Sequence, residues 1–314
     1  MSRDGFVGAA ILAASVMSST FGAGDARAER SMNAIVSIPG TASSSSSSIA
    51  PSAAQSLASP WVNGFHSRVR LTAAHLLDDR DGTALYAGVD IRLDPAWKTY
   101  WRMPGDGGGI PPEFDWSASE NVRDVSVLFP APQRLNDAYG TSIGYKGGVL
   151  FPVRVVPVDP QRAVRLRLVT HFGVCDDICI PAEARLSLDI AKGARAAVPV
   201  QRDLLAALAK VPASDTQKGL RVVEAKPHLD GSKPAFTFHI ASSVRDPVDL
   251  FAVMPGGVHL PVPEALGRAD DGSARFRVDL SHVADPSGLR GKSIELVATS
   301  GVRGRKIMWT VPMD

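Results

Sequence analysis

The two cysteines of this chain lie within one short segment, Gly173-Val174-Cys175-Asp176-Asp177-Ile178-Cys179-Ile180-Pro181. Three residues separate them, and no other thiol is available to either. In an oxidising compartment such a pair closes on itself where geometry allows. A loop this short removes little entropy from the unfolded chain, so the bond is worth little as a staple. A chain of 314 residues can also build a core without one. The chemistry that fits is thiol–disulfide exchange, in which a thiolate attacks one sulfur and the other sulfur leaves. Asp176 and Asp177 sit between the thiols and oppose thiolate formation. They favour a pair that accepts and passes on electrons over an aggressive oxidant. A static hairpin disulfide is the competing structural reading.

Metal binding is the other chemistry open to these residue types. His171 lies four residues before Cys175 and could complete a soft site, but on an extended strand it need not point at the thiols. Met254-Pro255-Gly256-Gly257-Val258-His259 offers a thioether and an imidazole to copper, although a methionine at an apolar strand end belongs more naturally to a core. The reading adopted calls for no cofactor and no metal. A net charge of +2 argues against a nucleic-acid partner.

The elements around the cysteines read as β. Leu85, Ala87, Val89, Ile91 and Leu93 alternate with polar or small residues, the period of a half-buried strand. Val149 to Val158 is an apolar run interrupted by Pro152 and Pro157, which predicts an edge strand or strand ends. Val164, Leu166 and Leu168 alternate before the cysteines; Leu186, Leu188 and Ile190 do so after them. The pair is thereby placed in the connection between two neighbouring strands, near one end of a sheet. Lys192 to Pro199 reads as a boundary, followed by a short helix over residues 202–210 with Leu204, Leu205 and Leu208 on one face. A second β series follows at 236–240, 248–253, 274–280, 294–298 and 306–311, with a turn at Asp270-Asp271-Gly272.

The expected fold is all-β, with two immunoglobulin-like β-sandwich domains spanning residues 61–192 and 193–314. Residues 1–28 read as a signal peptide: Arg3, an apolar run from Phe6 to Met17, and an Ala26-Arg27-Ala28 cleavage triplet. That run is too short for a membrane span, and no later run approaches the required length of about 20 apolar residues. Residues 29–60, with an unbroken serine run from Ser43 to Ser48, read as a disordered linker. The expected product is exported and carries no transmembrane segment after signal cleavage.

Three segments, in order, resemble the N-terminal periplasmic domain of the DsbD thiol:disulfide interchange family in its ScsB-like variant. They are Trp97-Lys98-Thr99-Tyr100-Trp101-Arg102, then Asn136 to Tyr145 followed by Phe151-Pro152-Val153, then Gly173 through Glu183. The likeness spans residues 84–190, about a third of the chain. It implies that Cys175 and Cys179 accept electrons from a thioredoxin-like or membrane-embedded reductase and reduce periplasmic disulfide proteins. It further implies a cap loop at Asn136–Thr141 that shields the pair, with Asp137 and Tyr139 at its functional positions, and Tyr100 and Tyr145 near the active site. By the same analogy Cys179 forms the mixed disulfide. Two departures stand out: the family's best-known member carries five residues between its cysteines, and a phenylalanine where this chain has Ala138. Two other functions compete, a β-sandwich binding or assembly module with a structural disulfide, and a copper-handling periplasmic protein.

Overall fold

The alternation of apolar and polar residues is realised as paired strands throughout a computed structural model. It describes residues 57–78, 82–137, 140–214, 219–243, 246–254, 259–301 and 303–313. The expected signal peptide and all but the last residues of the expected linker lie outside the described residues.

Among the described residues, eleven strands precede a single α-helix. They are β1 (Val62–Gly64), β2 (Ser67–Asp78), β3 (Gly82–Leu93), β4 (Lys98–Tyr100), β5 (Glu113–Asp115) and β6 (Val122–Val127), followed by β7 (Gln133–Asp137), β8 (Gly140–Lys146), β9 (Gly148–Pro157), β10 (Val164–Cys175) and β11 (Cys179–Ile190). One sheet runs β1-β2-β3-β9-β6 and the other β11-β10-β4-β8-β7, with β5 added against β10. Leu71, Val89, Ile91 and Phe151 from the first sheet meet Leu166, Leu168, Phe172 and Val174 from the second in one buried cluster. Each such side chain contributes about 1.5–3 kcal/mol relative to exposure. The all-β sandwich expected from periodicity is the fold observed.

Helix α1 (Val198–Leu208) begins earlier than the periodicity suggested, because Pro199 sits in its first turn instead of marking a boundary. Leu204 is fully buried and packs with Ala74, Leu76, Ala84 and Tyr86 of the first sandwich, whereas Leu205 is about half exposed. The chain then forms β12 (Arg221–His228), β13 (Ala235–Ala241), β14 (Val248–Val253), β15 (Glu264–Arg268), β16 (Ala274–Asp279), β17 (Ser293–Ser300) and β18 (Arg303–Thr310). These pair as sheets β12-β13-β16-β15 and β14-β17-β18 over a core containing Phe236, Phe238, Leu250, Phe276 and Leu296. Trp309 packs edge-on to Phe236 and Phe238, with ring centroids 5.1 and 5.0 Å away.

The edge position predicted for the Pro152 strand is not observed: β9 lies between β3 and β6. The reason is local. Pro152 accepts a 2.8 Å hydrogen bond from Leu128 N just past the end of β6, so its nitrogen, which points to the same side, faces a place where the ladder has stopped. At the N-terminal side, Leu57–Ser59 fall within the expected linker yet pair with β2: Ala73 N donates to Leu57 O and Ser59 N to Leu71 O, and Leu57 is buried.

Candidate functional site

Strands β10 and β11 form a hairpin whose register continues unbroken from Val164↔Ile190 to Cys175↔Cys179. The two cysteines are therefore directly opposed at the hairpin's end, with Cα atoms 4.1 Å apart and the sulfurs bonded. Asp176, Asp177 and Ile178 make the turn and are all exposed, with Asp176 N bonded to Ile178 O. The bond is asymmetric: Cys175 is 1% exposed, whereas Cys179 is exposed to solvent.

Both sulfurs belong to the outer face of the sheet, away from the core. On β10, Phe172 and Val174 point into the core, so the intervening Gly173 and Cys175 face outward. Lys98 of β4 is the ladder partner of Cys175, and it is also opposite Lys146 of β8. A row Cys179–Cys175–Lys98–Lys146 thus crosses four strands. Lys98 is 9% exposed and shares the outer face of the ladder with the buried Cys175. Directly opposite ladder residues keep their Cβ atoms about 5 Å apart. Sequence reasoning missed Lys98, although its place two residues before Tyr100 on a short strand put both on one face.

Tyr100 is 4% exposed and its hydroxyl lies 3.7 Å from Cys179 Sγ. A disulfide sulfur carries no proton, so the hydroxyl is the donor. The ring rests between two glycines. A Cβ on Gly173 would come within 3.1 Å of the ring, and one on Gly109 would fall inside its van der Waals envelope. Gly109 also holds φ +141°, a conformation side chains rarely adopt. The segment Gly107–Ile110 therefore lies across Tyr100, and Ile110 O accepts a 3.0 Å bond from Gly173 N of the disulfide strand.

Tyr145 stands elsewhere. It is opposite Thr99 on β8, on the inner face of the sheet, where its ring packs edge-on against Phe151 at 5.6 Å. Its hydroxyl donates to Pro130 O at 2.9 Å, and burial holds its pKa well above the usual tyrosine value. The expected place beside the cysteines is not the one observed, because a residue and its strand neighbour point to opposite faces. The segment expected to act as a cap begins with Asn136, whose Oδ1 accepts from Thr141 Oγ1 at 3.0 Å. The Asp137 side chain and all of Ala138 and Tyr139 lie outside the described residues.

The metal alternatives find other geometry. His171 is exposed and its Nε2 lies 3.1 Å from Glu183 Oε2. It is four extended residues, about 13 Å, from Cys175, so strand geometry keeps it away from the sulfurs. Met254 is buried in the second core, and His259 Nε2 lies 3.1 Å from Asp106 Oδ1. Among the described residues, no group of three or more His, Cys, Asp or Glu side chains is placed to hold a metal ion, and no helix is long and apolar enough to cross a membrane.

Comparison with known proteins agrees with the fold. Residues 72–191 match the family model of the N-terminal domain of the thiol:disulfide interchange protein DsbD, a span that contains both cysteines, Lys98 and Tyr100. The crystal structure of the N-terminal periplasmic domain of ScsB from Proteus mirabilis is similar over 82% of this chain and 100% of that one, with TM-score 0.63 and 23% identity. No curated protein matches the chain. Residues 72–191 are a DsbD N-terminal-like domain.

Proposed function

We propose that this DsbD N-terminal-like domain relays reducing equivalents in the periplasm through Cys175 and Cys179. A thioredoxin-like or membrane-embedded reductase supplies them, and periplasmic disulfide proteins receive them. The family match supports a thiol:disulfide interchange module. The observation that carries the finer reading is the unequal burial of the two sulfurs.

Attack is favoured at the sulfur an incoming thiolate can reach, which is Cys179. The donor thiolate forms a bond to Cys179 Sγ, the Cys175–Cys179 bond breaks, and Cys175 leaves as a thiolate that takes up a proton. Leaving is easier for a stabilised thiolate, and Lys98 is the cation beside it in the ladder. The donor's second thiolate then attacks its own sulfur in the mixed disulfide and releases Cys179. Two electrons and two protons have moved to this pair, and the donor is left oxidised. In the next half-cycle Cys179 attacks a substrate disulfide, and Cys175 resolves the mixed disulfide. Tyr100 donates a hydrogen bond to Cys179 in this arrangement and stabilises negative charge developing on that sulfur.

The test is to trap partners with single-cysteine variants. Cys175→Ala leaves Cys179 exposed and is expected to accumulate mixed disulfides in a periplasmic extract, whereas Cys179→Ala is expected to capture none. Equal trapping by both variants would remove the assigned direction, and trapping by neither would remove the relay. A midpoint potential below about −300 mV would instead indicate a structural bond held against the glutathione pool.

A further inference from the structure

The loop that covers Tyr100 is gripped from outside the redox sandwich. Between β4 and β5 the chain runs from Trp101 to Pro112 across the outer face of the sheet. Three of its backbone contacts tie it to β8: Trp101 N donates to Ile143 O at 3.0 Å, Gly107 N donates to Thr141 O at 2.9 Å, and Pro104 O accepts from Ile143 N at 2.7 Å. Another, between Ile110 O and Gly173 N, ties it to the disulfide strand. A further attachment comes from the second sandwich. Asp106 accepts from Val262 N, 3.0 Å from Oδ2, and its Oδ1 lies 3.1 Å from His259 Nε2.

The second sandwich is well placed to hold that grip. Phe251 packs 5.9 Å from Trp101, and Phe251 and Val297 join the core cluster of the first sandwich. Arg134 of β7 makes a two-pronged contact with Asp249, at 3.1 and 2.7 Å, and also donates to Pro263 O at 2.9 Å. Arg102, at the start of the loop, pairs with Glu295. The stretch Gly107–Gly109 has no side chains with which to pack, so its position depends on such attachments.

We propose that Asp106 is a positioning residue through which the second sandwich holds Gly107–Ile110 against Tyr100, and thereby limits how readily a thiolate reaches Cys179. The proposal rests on the relay reading for its purpose, but its physical content concerns only access to the disulfide. Asp106 touches neither sulfur. It acts through three residues of backbone to Gly109, through the Tyr100 ring packed on Gly109, and through the Tyr100 hydroxyl to Cys179. The partner chemistry implied is a second domain that works as a brace, with no chemistry of its own at the disulfide.

The experiment follows reduction of the oxidised full chain by dithiothreitol in single-turnover mixing, alongside thermal unfolding. Asp106→Ala removes both acceptor oxygens and is expected to speed reduction about three- to tenfold, the range set by losing such hydrogen bonds. Asp106→Asn keeps one oxygen for Val262 N and is expected to fall near wild type. In a Tyr100→Ala background the Asp106→Ala acceleration should largely disappear, because residues acting in series do not add. An unchanged rate in Asp106→Ala overturns the proposal, as does an acceleration retained in full when Tyr100 is absent. If Asp106→Ala fails to fold, His259→Ala removes one of the two contacts and carries the same expectations. Failure of the relay itself shows separately, as a wild-type disulfide that a thioredoxin-like dithiol does not reduce.

Discussion

The two sandwiches solve the same burial problem and differ in what they do with the outer face of a sheet. In the second, β15 lies on a sheet edge with all five of its residues exposed. Its described outer faces otherwise carry charged pairs such as Glu224 with Lys226, and His239 with the same glutamate. In the first, Gly173, Cys175, Lys98 and Tyr100 are buried although they point away from the core, and Gly107–Ile110 lies across Tyr100 and Gly173. The lesson is that the shared architecture supplies no chemistry. What the first adds is a glycine-rich loop laid over Tyr100 and Gly173, beside a disulfide with one buried and one exposed sulfur.

A core truncation in the second sandwich is the strongest way to break this contrast. Phe238 is fully buried, and Phe238→Ala should cost that half about 3–5 kcal/mol, measured by denaturant titration. If the second half only braces, the variant still forms the disulfide and its reduction is faster than wild type. Loss of exchange altogether would place part of the chemistry in the second sandwich. Gly109→Ala disturbs the covering loop directly, since the new methyl meets the Tyr100 ring in a backbone conformation costing about 1–3 kcal/mol for a side chain. Reduction by a small thiol should then accelerate about tenfold or more, within the range that such strain sets. An unchanged rate would mean that the loop does not govern access.

Lys98→Met sharpens the comparison of the two sulfurs. If Cys175 is the leaving thiolate and the Lys98 ammonium stabilises it, removing that charge should raise the pKa of the reduced Cys175 thiol. Attack at Cys179 should slow about threefold, because leaving-group basicity enters with a fractional slope. Thiolate absorbance against pH reads the first effect and stopped-flow reduction the second. An unshifted titration would detach Lys98 from the mechanism.

Periodicity carried the strands well where one face is core and the other water. The run Leu85 to Leu93 lies within β3, Val248–Val253 is β14, and the alternations flanking the cysteines are β10 and β11. It was silent on β4 and β8, because both of their faces are covered and alternation vanishes: Lys98, Thr99 and Tyr100 are all buried. The same fact hid Lys98, whose burial on an outward face no local pattern announces. Pro152 misled for a related reason. A proline forbids a hydrogen bond on one side only, and the sequence does not say that β6 stops one residue short of it. Pairing of the cysteines was legible from their isolation, but their unequal exposure was not, because no local pattern marks a buried outer face.

Tyr145 gives the smallest and most discriminating prediction, because it and Tyr100 were expected to share a site and lie on opposite faces of one sheet. Tyr145→Phe removes one hydrogen bond to Pro130 O, worth about 0.5–1.5 kcal/mol, and should leave the reduction rate of the disulfide unchanged. Its effect should appear instead in alkaline stability. Burial raises the folded-state pKa of Tyr145 well above 10.0, whereas in the unfolded chain it ionises near that ordinary value. Below the ordinary value both states hold the proton and the contribution to stability is complete. As pH rises past it, the unfolded chain loses the proton while the folded chain keeps it, so stability falls until the folded pKa is reached. Phenylalanine has no proton to lose, and the variant should lose less stability on going from neutral to alkaline pH than the parent does. Equal alkaline slopes would show that this hydroxyl is not confined as the inner face requires, and a changed exchange rate would return Tyr145 to the neighbourhood of the sulfurs.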